Sequence, residues 1–222
     1  RCTTADDYGI KYLRITTYVY LFHGTAQVTA FLMRSVKQPQ LGLRVSIISF
    51  FVNIFANWVF IFGMLGALMM VSDLLMNIIP NVHLVGVMIV VLTVLYRWKA
   101  LFPIYVYVLL IGLSEGIGTW WLPYLYVWTI LWGMVMLLPR NMPKWLAPVV
   151  YAVVCGLHGF GFGFWWIPSQ MALMGFSLEQ ALIWWQFGFL TADIPHGIGN
   201  LVGSTLIVPL VTLIRKLDKG LK

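Results

Sequence analysis

Residues 85–95 read VGVMIVVLTVL, and residues 198–214 read IGNLVGSTLIVPLVTLI. Both runs are predominantly apolar on every face, whereas the strands of a transmembrane β-barrel alternate apolar and polar residues. The chain of 222 residues is 61% hydrophobic and 9% charged, and soluble domains carry about 25% charged residues. The sequence therefore predicts an all-α fold, a polytopic helical bundle integral to a membrane.

The charged residues are concentrated towards the two ends of the chain. Eight lie in residues 1–44, five in residues 215–222, and eight in the 170 residues between. A membrane-spanning helix needs about 20 mostly apolar residues, so this middle stretch has room for about six or seven crossings. Nucleic-acid binding needs a basic face in water and is disfavoured by this distribution.

Hydropathy predicts a series of apolar segments. They cover residues 12–33, 46–64, 66–79, 84–96, 102–118, 125–139, 146–166 and 198–214. From residue 97 onward, two segments separate each group of cations from the next. The groups at 97–99, 140–144 and 215–222 therefore fit the cytoplasmic side, where Lys and Arg are in excess. The sequence predicts a multi-pass protein of the cell (inner) membrane with a cytoplasmic C-terminus.

The stretch between residues 44 and 97 does not fit this topology, because three apolar segments would place its flanking cations on opposite sides. Residues 46–80 contain a single charge, Asp73. As one helix they would measure about 52 Å, against a hydrocarbon core of about 30 Å. Gly63 and Gly66 offer the plausible break. We therefore expect a boundary at 60–66, with a two-helix segment at 1–63 and a second membrane domain at 64–222.

Residues 11–63 contain a basic loop, RSVKQP at 34–39, before a helix that ends in NWVFIFG at 57–63. This run resembles two consecutive helices of a multidrug and toxin extrusion (MATE) transporter. The resemblance covers two spans of a larger fold, so it implies neither an ion site nor a drug cavity here. A generic hairpin with a basic loop is the alternative.

Residues 62–222 carry a different set of motifs. The motifs are GALMM at 66–70, PNVHL at 80–84, RWKAL at 97–101, LLPR at 137–140, GIGN at 197–200 and PL at 209–210. Together they resemble the substrate-binding S component of an energy-coupling factor (ECF) vitamin transporter. The resemblance implies a six-helix domain that binds a small organic micronutrient and works with a membrane coupling subunit and ATPase subunits. It implies no enzyme activity and no cofactor.

Polar and aromatic residues at the outer ends of the predicted segments are candidates for binding the substrate, because ionisable groups in the hydrocarbon are costly and mark functional sites. The predicted substrate-binding set is Asn81, His83, Glu115, Trp120, Trp121, Tyr124, His158, Gln170, Asp193, His196 and Asn200. Asn81 and His83 follow Asp73 and Asn77, with which they would form either a polar wall at the mouth of the site or a cap and loop network.

The aromatic residues that follow Glu115 have two interpretations. Trp and Tyr collect at membrane interfaces, so Trp120, Trp121 and Tyr124 fit an anchoring belt. Their density also fits a stacking site for a flat heteroaromatic ligand, with Glu115 accepting a hydrogen bond from a ring nitrogen or an amine.

His158, Asp193 and His196 would make two imidazoles and one carboxylate, a possible metal or proton site. Pro195 interrupts the turn between Asp193 and His196, so ligand binding or helix capping is favoured over a metal centre, and no metal is predicted.

Small residues on the first helix of the second domain predict close helix packing. By the S-component resemblance, Gly63, Gly66, Ala67 and Met70 form the face that docks on the coupling subunit; internal packing is the alternative. Two other functions remain open for the whole chain. It could be a fragment of a MATE-type cation-coupled antiporter, which would need a complete repeat and a deep carboxylate. It could also be a membrane metalloenzyme built on His158, Asp193 and His196.

Overall fold

The computed structural model describes residues 39–76 and 84–220, together with residues 10, 13–14, 16–17, 20, 23–25, 27–28 and 31–32. These residues are 86% helical and include no strand. The chain divides into two compact units, unit 1 at Arg1–Val59 and unit 2 at Phe60–Lys222. In unit 1, every described residue between 10 and 32 is helical.

The first continuous helix is α1, Pro39–Met76, which contains the boundary between the units. It is unbroken at Gly63 and Gly66, so the turn that the sequence suggested between segments 46–64 and 66–79 is absent. Its residues from 39 to 76 are mainly strong helix formers and apolar residues, and two glycines without a proline do not end a helix of this length.

Unit 2 continues with shorter helices. They are α2 (Val85–Tyr96), α3 (Leu101–Glu115), α4 (Tyr124–Met136), α5 (Ala147–Phe160), α6 (Phe162–Trp165), α7 (Ile167–Met174), α8 (Leu178–Gly188), α9 (Ile194–Ser204) and α10 (Ile207–Gly220). A 3-10 turn at Arg97–Ala100 precedes α3, and a π turn at Phe189–Asp193 precedes α9.

Local residue choices explain where several helices begin and end. A proline stands in the first turn of α5, α7 and α9, where the missing N–H costs nothing. Gly175 ends α7 in the left-handed conformation at φ 69°, which glycine adopts without a steric penalty. Ser177 begins α8 with a capping box, since its side chain accepts from the Gln180 N–H while the Gln180 side chain accepts from the Ser177 N–H.

The core of unit 2 surrounds Trp128 on α4, which is fully buried. Its ring centroid lies 6.1 Å from that of Tyr107 on α3, 5.3 Å from Phe162 on α6 and 5.8 Å from His158 on α5. Around these rings pack the branched aliphatic residues of α2. The centre of unit 2 is therefore aromatic.

Glycines allow α5 and α9 to approach closely. A Cβ at Gly159 would lie 2.8 Å from the Gly197 Cα and 2.7 Å from Nδ2 of Asn200. A Cβ at Gly197 would overlap the ring of Phe160. These contacts are those of a helix pair packed through small residues, as membrane helices pack.

Two helical stretches are long and apolar enough to cross a membrane. One is Leu43–Leu75 within α1, and the other is Val85–Glu115, which comprises α2, the 3-10 turn and α3. A third candidate results if the bent pair Leu178–Ser204 and Ile207–Asp218 counts as one span. The separate crossings expected at 84–96 and 102–118 lie within the single run Val85–Glu115. Those expected at 125–139 and 146–166 contain the shorter apolar helices Tyr124–Met136 and Ala147–Phe160. Described helices thus supply two or three candidate spans.

Candidate functional site

Unit 2 contains a cavity of about 340 Å³. Its described wall combines aromatic, polar and small residues: Tyr124, Phe162, Trp166, Trp184 and Trp185; Gln170 and Asp193; and Gly163, Gly188 and Ala192. A largely aromatic pocket with a few convergent polar groups is the usual form of a small-molecule site. We therefore treat this cavity as the candidate functional site.

Asp193 is the polar centre of the cavity and is 2% exposed. Its Oδ1 accepts a hydrogen bond of 2.8 Å from the Gly163 backbone N–H, and its Oδ2 accepts one of 2.7 Å from the Trp185 indole N–H. Within the described part of the chain, these are its polar contacts, and neither donor carries a charge. The carboxylate is held in place by neutral groups on two other helices.

The backbone around Asp193 explains how its side chain reaches this position. Pro195 has no N–H and cannot continue an α-helical ladder, and just before it the chain forms a π turn in which the Ile194 N–H donates to the Phe189 carbonyl. Single π turns occur often at functional sites. On the other side, a Cβ at Gly163 would lie 2.9 Å from Oδ1, so glycine is needed for the backbone to approach the carboxylate.

Two buried polar atoms border the cavity without a hydrogen-bond partner among the described residues. They are Oε1 of Gln170 and Nε1 of Trp166. Gln170 is 7% exposed. Buried polar groups are normally hydrogen-bonded; these two atoms are unsatisfied among the described residues, but each is enclosed by protein and is not open to the cavity.

The described lining of the cavity does not include the predicted residues His158, His196 and Asn200. His158 is fully buried, and its Nε2 lies 3.0 Å from the Val127 carbonyl oxygen. The His196 ring stacks on Phe162 with centroids 4.3 Å apart. Asn200 donates to the Cys155 carbonyl at 3.1 Å. His158 and His196 thus contact the ring of Phe162, which lines the site, whereas Asn200 joins α9 to α5.

Glu115 and the aromatic residues that follow it lie in different environments. Glu115 is exposed at the end of α3. Trp121 donates its indole N–H to the Val108 carbonyl at 2.7 Å and lies against Gly112. Trp120 contacts Tyr124 edge to face at 5.7 Å. Of this group, Tyr124 lines the cavity, and Trp121 is committed to α3.

The polar residues predicted around Asp73 are partly described. Asp73 accepts a hydrogen bond of 2.8 Å from the hydroxyl of Tyr107, a fully buried residue. Asn77, Asn81 and His83 lie outside the described residues, so their predicted part in a polar wall stays a prediction.

The four residues predicted to dock on a coupling subunit differ in their surroundings. A Cβ at Gly66 would lie 2.5 Å from Cγ1 of Val106, which is internal packing within unit 2. Met70 also packs against the core, and Ala67 is half-buried. A Cβ at Gly63 would meet nothing within 4 Å. Of the four, Gly63 has open space beside it.

The three-residue metal site considered from the sequence is not assembled. Among the described residues, no group of three or more His, Cys, Asp or Glu side chains is placed to hold a metal ion. His158, Asp193 and His196 are all described, and Asp193 bonds to Gly163 and Trp185 instead.

Seven of the ten described residues of the cavity wall were not predicted from the sequence to bind substrate. They are Phe162, Gly163, Trp166, Trp184, Trp185, Gly188 and Ala192. The available signal was the pairing of adjacent tryptophans, at 165–166 and 184–185, with a buried acidic residue shortly after. Comparison of the chain with protein-family models, curated proteins and solved structures finds no match.

Proposed function

We propose that this chain is the substrate-binding subunit of an uptake transporter for a small organic micronutrient. The observation that carries the proposal is the cavity of unit 2, because three residues predicted to bind substrate, Tyr124, Gln170 and Asp193, line the same space. The motifs of residues 62–222 that resemble an ECF S component suggest the transporter class. In that class, a membrane coupling subunit and ATPase subunits supply the energy.

The placement of the cations supports a topology for this proposal. Arg140, Lys144 and Arg215 line one cavity, and Arg97 donates to the Met136 carbonyl at 2.7 Å. All three groups of cations thus meet near the C-terminal end of α4. Because Lys and Arg favour the cytoplasmic side, we assign this end and the C-terminus to the cytoplasm, with about six crossings in residues 64–222. In this topology α2 and α3 cross separately, and the turn at Arg97–Ala100 between them is cytoplasmic.

The same helix places the candidate site at the opposite end. Tyr124 is the first residue of α4 and Met136 is its last, and at about 1.5 Å per residue the two ends are about 18 Å apart. The cavity beside Tyr124 is therefore separated from the cations beside Met136 by the length of a helix. A site on the outer side of the membrane suits a protein that captures nutrients from outside.

The chemistry of the cavity favours binding over catalysis. Its described lining contains no His, Cys, Ser or Lys, and Asp193 is held by two donors. A MATE-type cation-coupled antiporter, of which this chain would be a fragment, is the second candidate function, on the strength of residues 11–63 alone. A metalloenzyme is not favoured, because the described side chains do not form its ligand set.

Co-purification from the native membrane tests the proposal. The full chain is extracted in mild detergent, and mass spectrometry identifies both the bound proteins and any retained small molecule. We expect a coupling subunit with ATPase subunits and a small organic ligand. Recovery of the chain alone and without a ligand would contradict the proposal.

A pair of glycine variants makes the ligand measurement specific to the cavity. Gly188 lines the cavity, Gly133 does not, and a Cβ at either position would meet nothing within 4 Å. Gly188→Phe should fill the cavity and abolish retention of the ligand, whereas Gly133→Phe should retain it. Equal retention by the two variants would place the ligand elsewhere.

A further inference from the structure

The described lining of the cavity in unit 2 carries an acidic side chain but no basic one. Asp193 is the one carboxylate among its described lining residues, and no Lys, Arg or His is among them. Both hydrogen bonds to Asp193 come from neutral donors. A buried charge is costly unless it is paired, so a cation in the cavity would supply the charged partner that an ionised Asp193 lacks among the described lining residues.

The remaining wall of the cavity suits a cation. Tyr124, Phe162 and Trp166 form one cluster, with ring centroids 6.2 to 6.4 Å apart in each pair. Trp184 and Trp185 on α8 also line the cavity. Tryptophan is the aromatic side chain that attracts cations most strongly, and aromatic cages are the usual receptors for substituted ammonium groups.

The size and donor set of the cavity distinguish an organic cation from a metal ion. A volume of about 340 Å³ is far larger than a bare ion. Calcium takes about 6–8 oxygen ligands, and the described lining offers one carboxylate and one side-chain amide.

We propose that the cavity binds an organic cation, with Asp193 as its counter-ion and the surrounding aromatic residues as its cage. This inference rests on the proposed function and specifies its substrate class: a small molecule with an alkylated ammonium or a positively charged ring nitrogen. The carboxylate expected to contact the charged or polar nitrogen of the ligand is then the buried Asp193 rather than the exposed Glu115.

A matched pair of probes tests the charge requirement. Choline and 3,3-dimethylbutan-1-ol have nearly the same shape and hydroxyl group, but only choline carries a charge. Binding of each to the purified full chain in lipid nanodiscs is measured by titration calorimetry and by tryptophan fluorescence. We expect choline to bind at least about tenfold more tightly, as a cation–π and ion-pair site requires.

Variants assign the preference to the cavity. Asp193→Asn should remove the preference for choline, whereas Asp218→Asn, at an exposed carboxylate on α10, should leave it unchanged. Trp184→Leu should weaken choline binding about fivefold or more, whereas Trp145→Leu should not. Trp184 and Trp145 are 60% and 76% exposed, so both tryptophan variants should fold. If Asp193→Asn does not fold, the comparison of these two variants tests whether choline binds in the cavity.

Three results would overturn the inference. They are equal affinity for the two probes, no binding of choline at about 50 mM, and a folded Asp193→Asn protein that still prefers choline. The outcome is independent of the uptake test. A neutral or anionic ligand recovered with the coupling subunit would refute the cation while the uptake function stands. Cation binding that depends on Asp193, in a chain recovered without a coupling subunit, would support the cation and contradict the uptake function.

Discussion

Replacing Gly163 by alanine tests how closely the Asp193 carboxylate is held against the backbone. The new Cβ would lie 2.9 Å from Oδ1 and 3.0 Å from Oδ2 of Asp193, and 3.0 Å from Cδ1 of Trp185. Non-bonded heavy atoms prefer about 3.5–4.0 Å. The carboxylate must therefore move, and it then loses its 2.8 Å hydrogen bond from the Gly163 N–H.

The expected cost follows from two effects. A hydrogen bond to a charged group contributes about 1.5–3 kcal/mol, and inserting a methyl group into a packed site costs about 1–3 kcal/mol. The two do not add, because movement of the carboxylate relieves the overlap by breaking the bond. We expect a loss of about 2 kcal/mol in the free energy of unfolding, or about 4–8 °C in Tm for a chain of this size.

Thermal unfolding of the purified protein in detergent, followed by tryptophan fluorescence, measures this loss. Gly188→Ala is the matched control, because Gly188 lines the same cavity and its Cβ would meet nothing within 4 Å. Alanine favours a helix over glycine by about 1 kcal/mol, so the control should be unchanged or slightly more stable. A wild-type Tm for Gly163→Ala would refute the reasoning.

Three further substitutions have expected outcomes. Tyr107→Phe removes the hydroxyl that donates to Asp73 and should lower the free energy of unfolding by about 1.5–3 kcal/mol in denaturant titrations. Gly197→Ala places a methyl group in the ring of Phe160, so it should separate α5 from α9 and cost about 2–3 kcal/mol by thermal unfolding. Ser177→Ala removes the N-cap of α8 and should cost about 0.5–2 kcal/mol, with faster hydrogen exchange in the first turn of α8.

Each of these has a matched control in the chain. Tyr105→Phe removes a hydroxyl that is bonded to Leu125 and is exposed, so it should cost less than Tyr107→Phe. Gly133→Ala adds a methyl group in open space and should not destabilise. Ser114→Ala removes a hydroxyl at the end of a helix rather than at its cap. If a control variant loses as much stability as its partner, the contact named for that partner is not the cause of the loss.

Local patterns predicted the helical character of the chain well and its breaks poorly. The apolar run at 85–95 lies in α2, as expected, but the run at 198–214 is divided between α9 and α10, which meet at a bend of 44° after Ser204. The turn expected at Gly63 and Gly66 is not there, because a glycine permits a break without requiring one, and Gly66 instead lies against Val106. The number of crossings depends on how these helices meet the membrane, which hydropathy alone leaves open.

The candidate site shows the same division between local and distant information. The sequence marked Tyr124, Gln170 and Asp193 as polar or amphipathic residues in apolar surroundings, and all three line the cavity. It also marked Glu115 and Trp121, which do not line it in the described structure. Nothing local separates these groups, since each combines a polar or aromatic residue with an apolar segment.

The sequence by itself determined that the chain is helical and apolar enough to enter a membrane, because both properties depend on residues close together in the chain. Only the tertiary structure decided which of the marked residues meet. The cavity joins the start of α4, the segment 162–170, the end of α8 and the turn that ends at Asp193. These are distant in sequence, and glycine allows two of the approaches: Gly163 lies against Asp193 and Trp185, and Gly197 lies against Phe160.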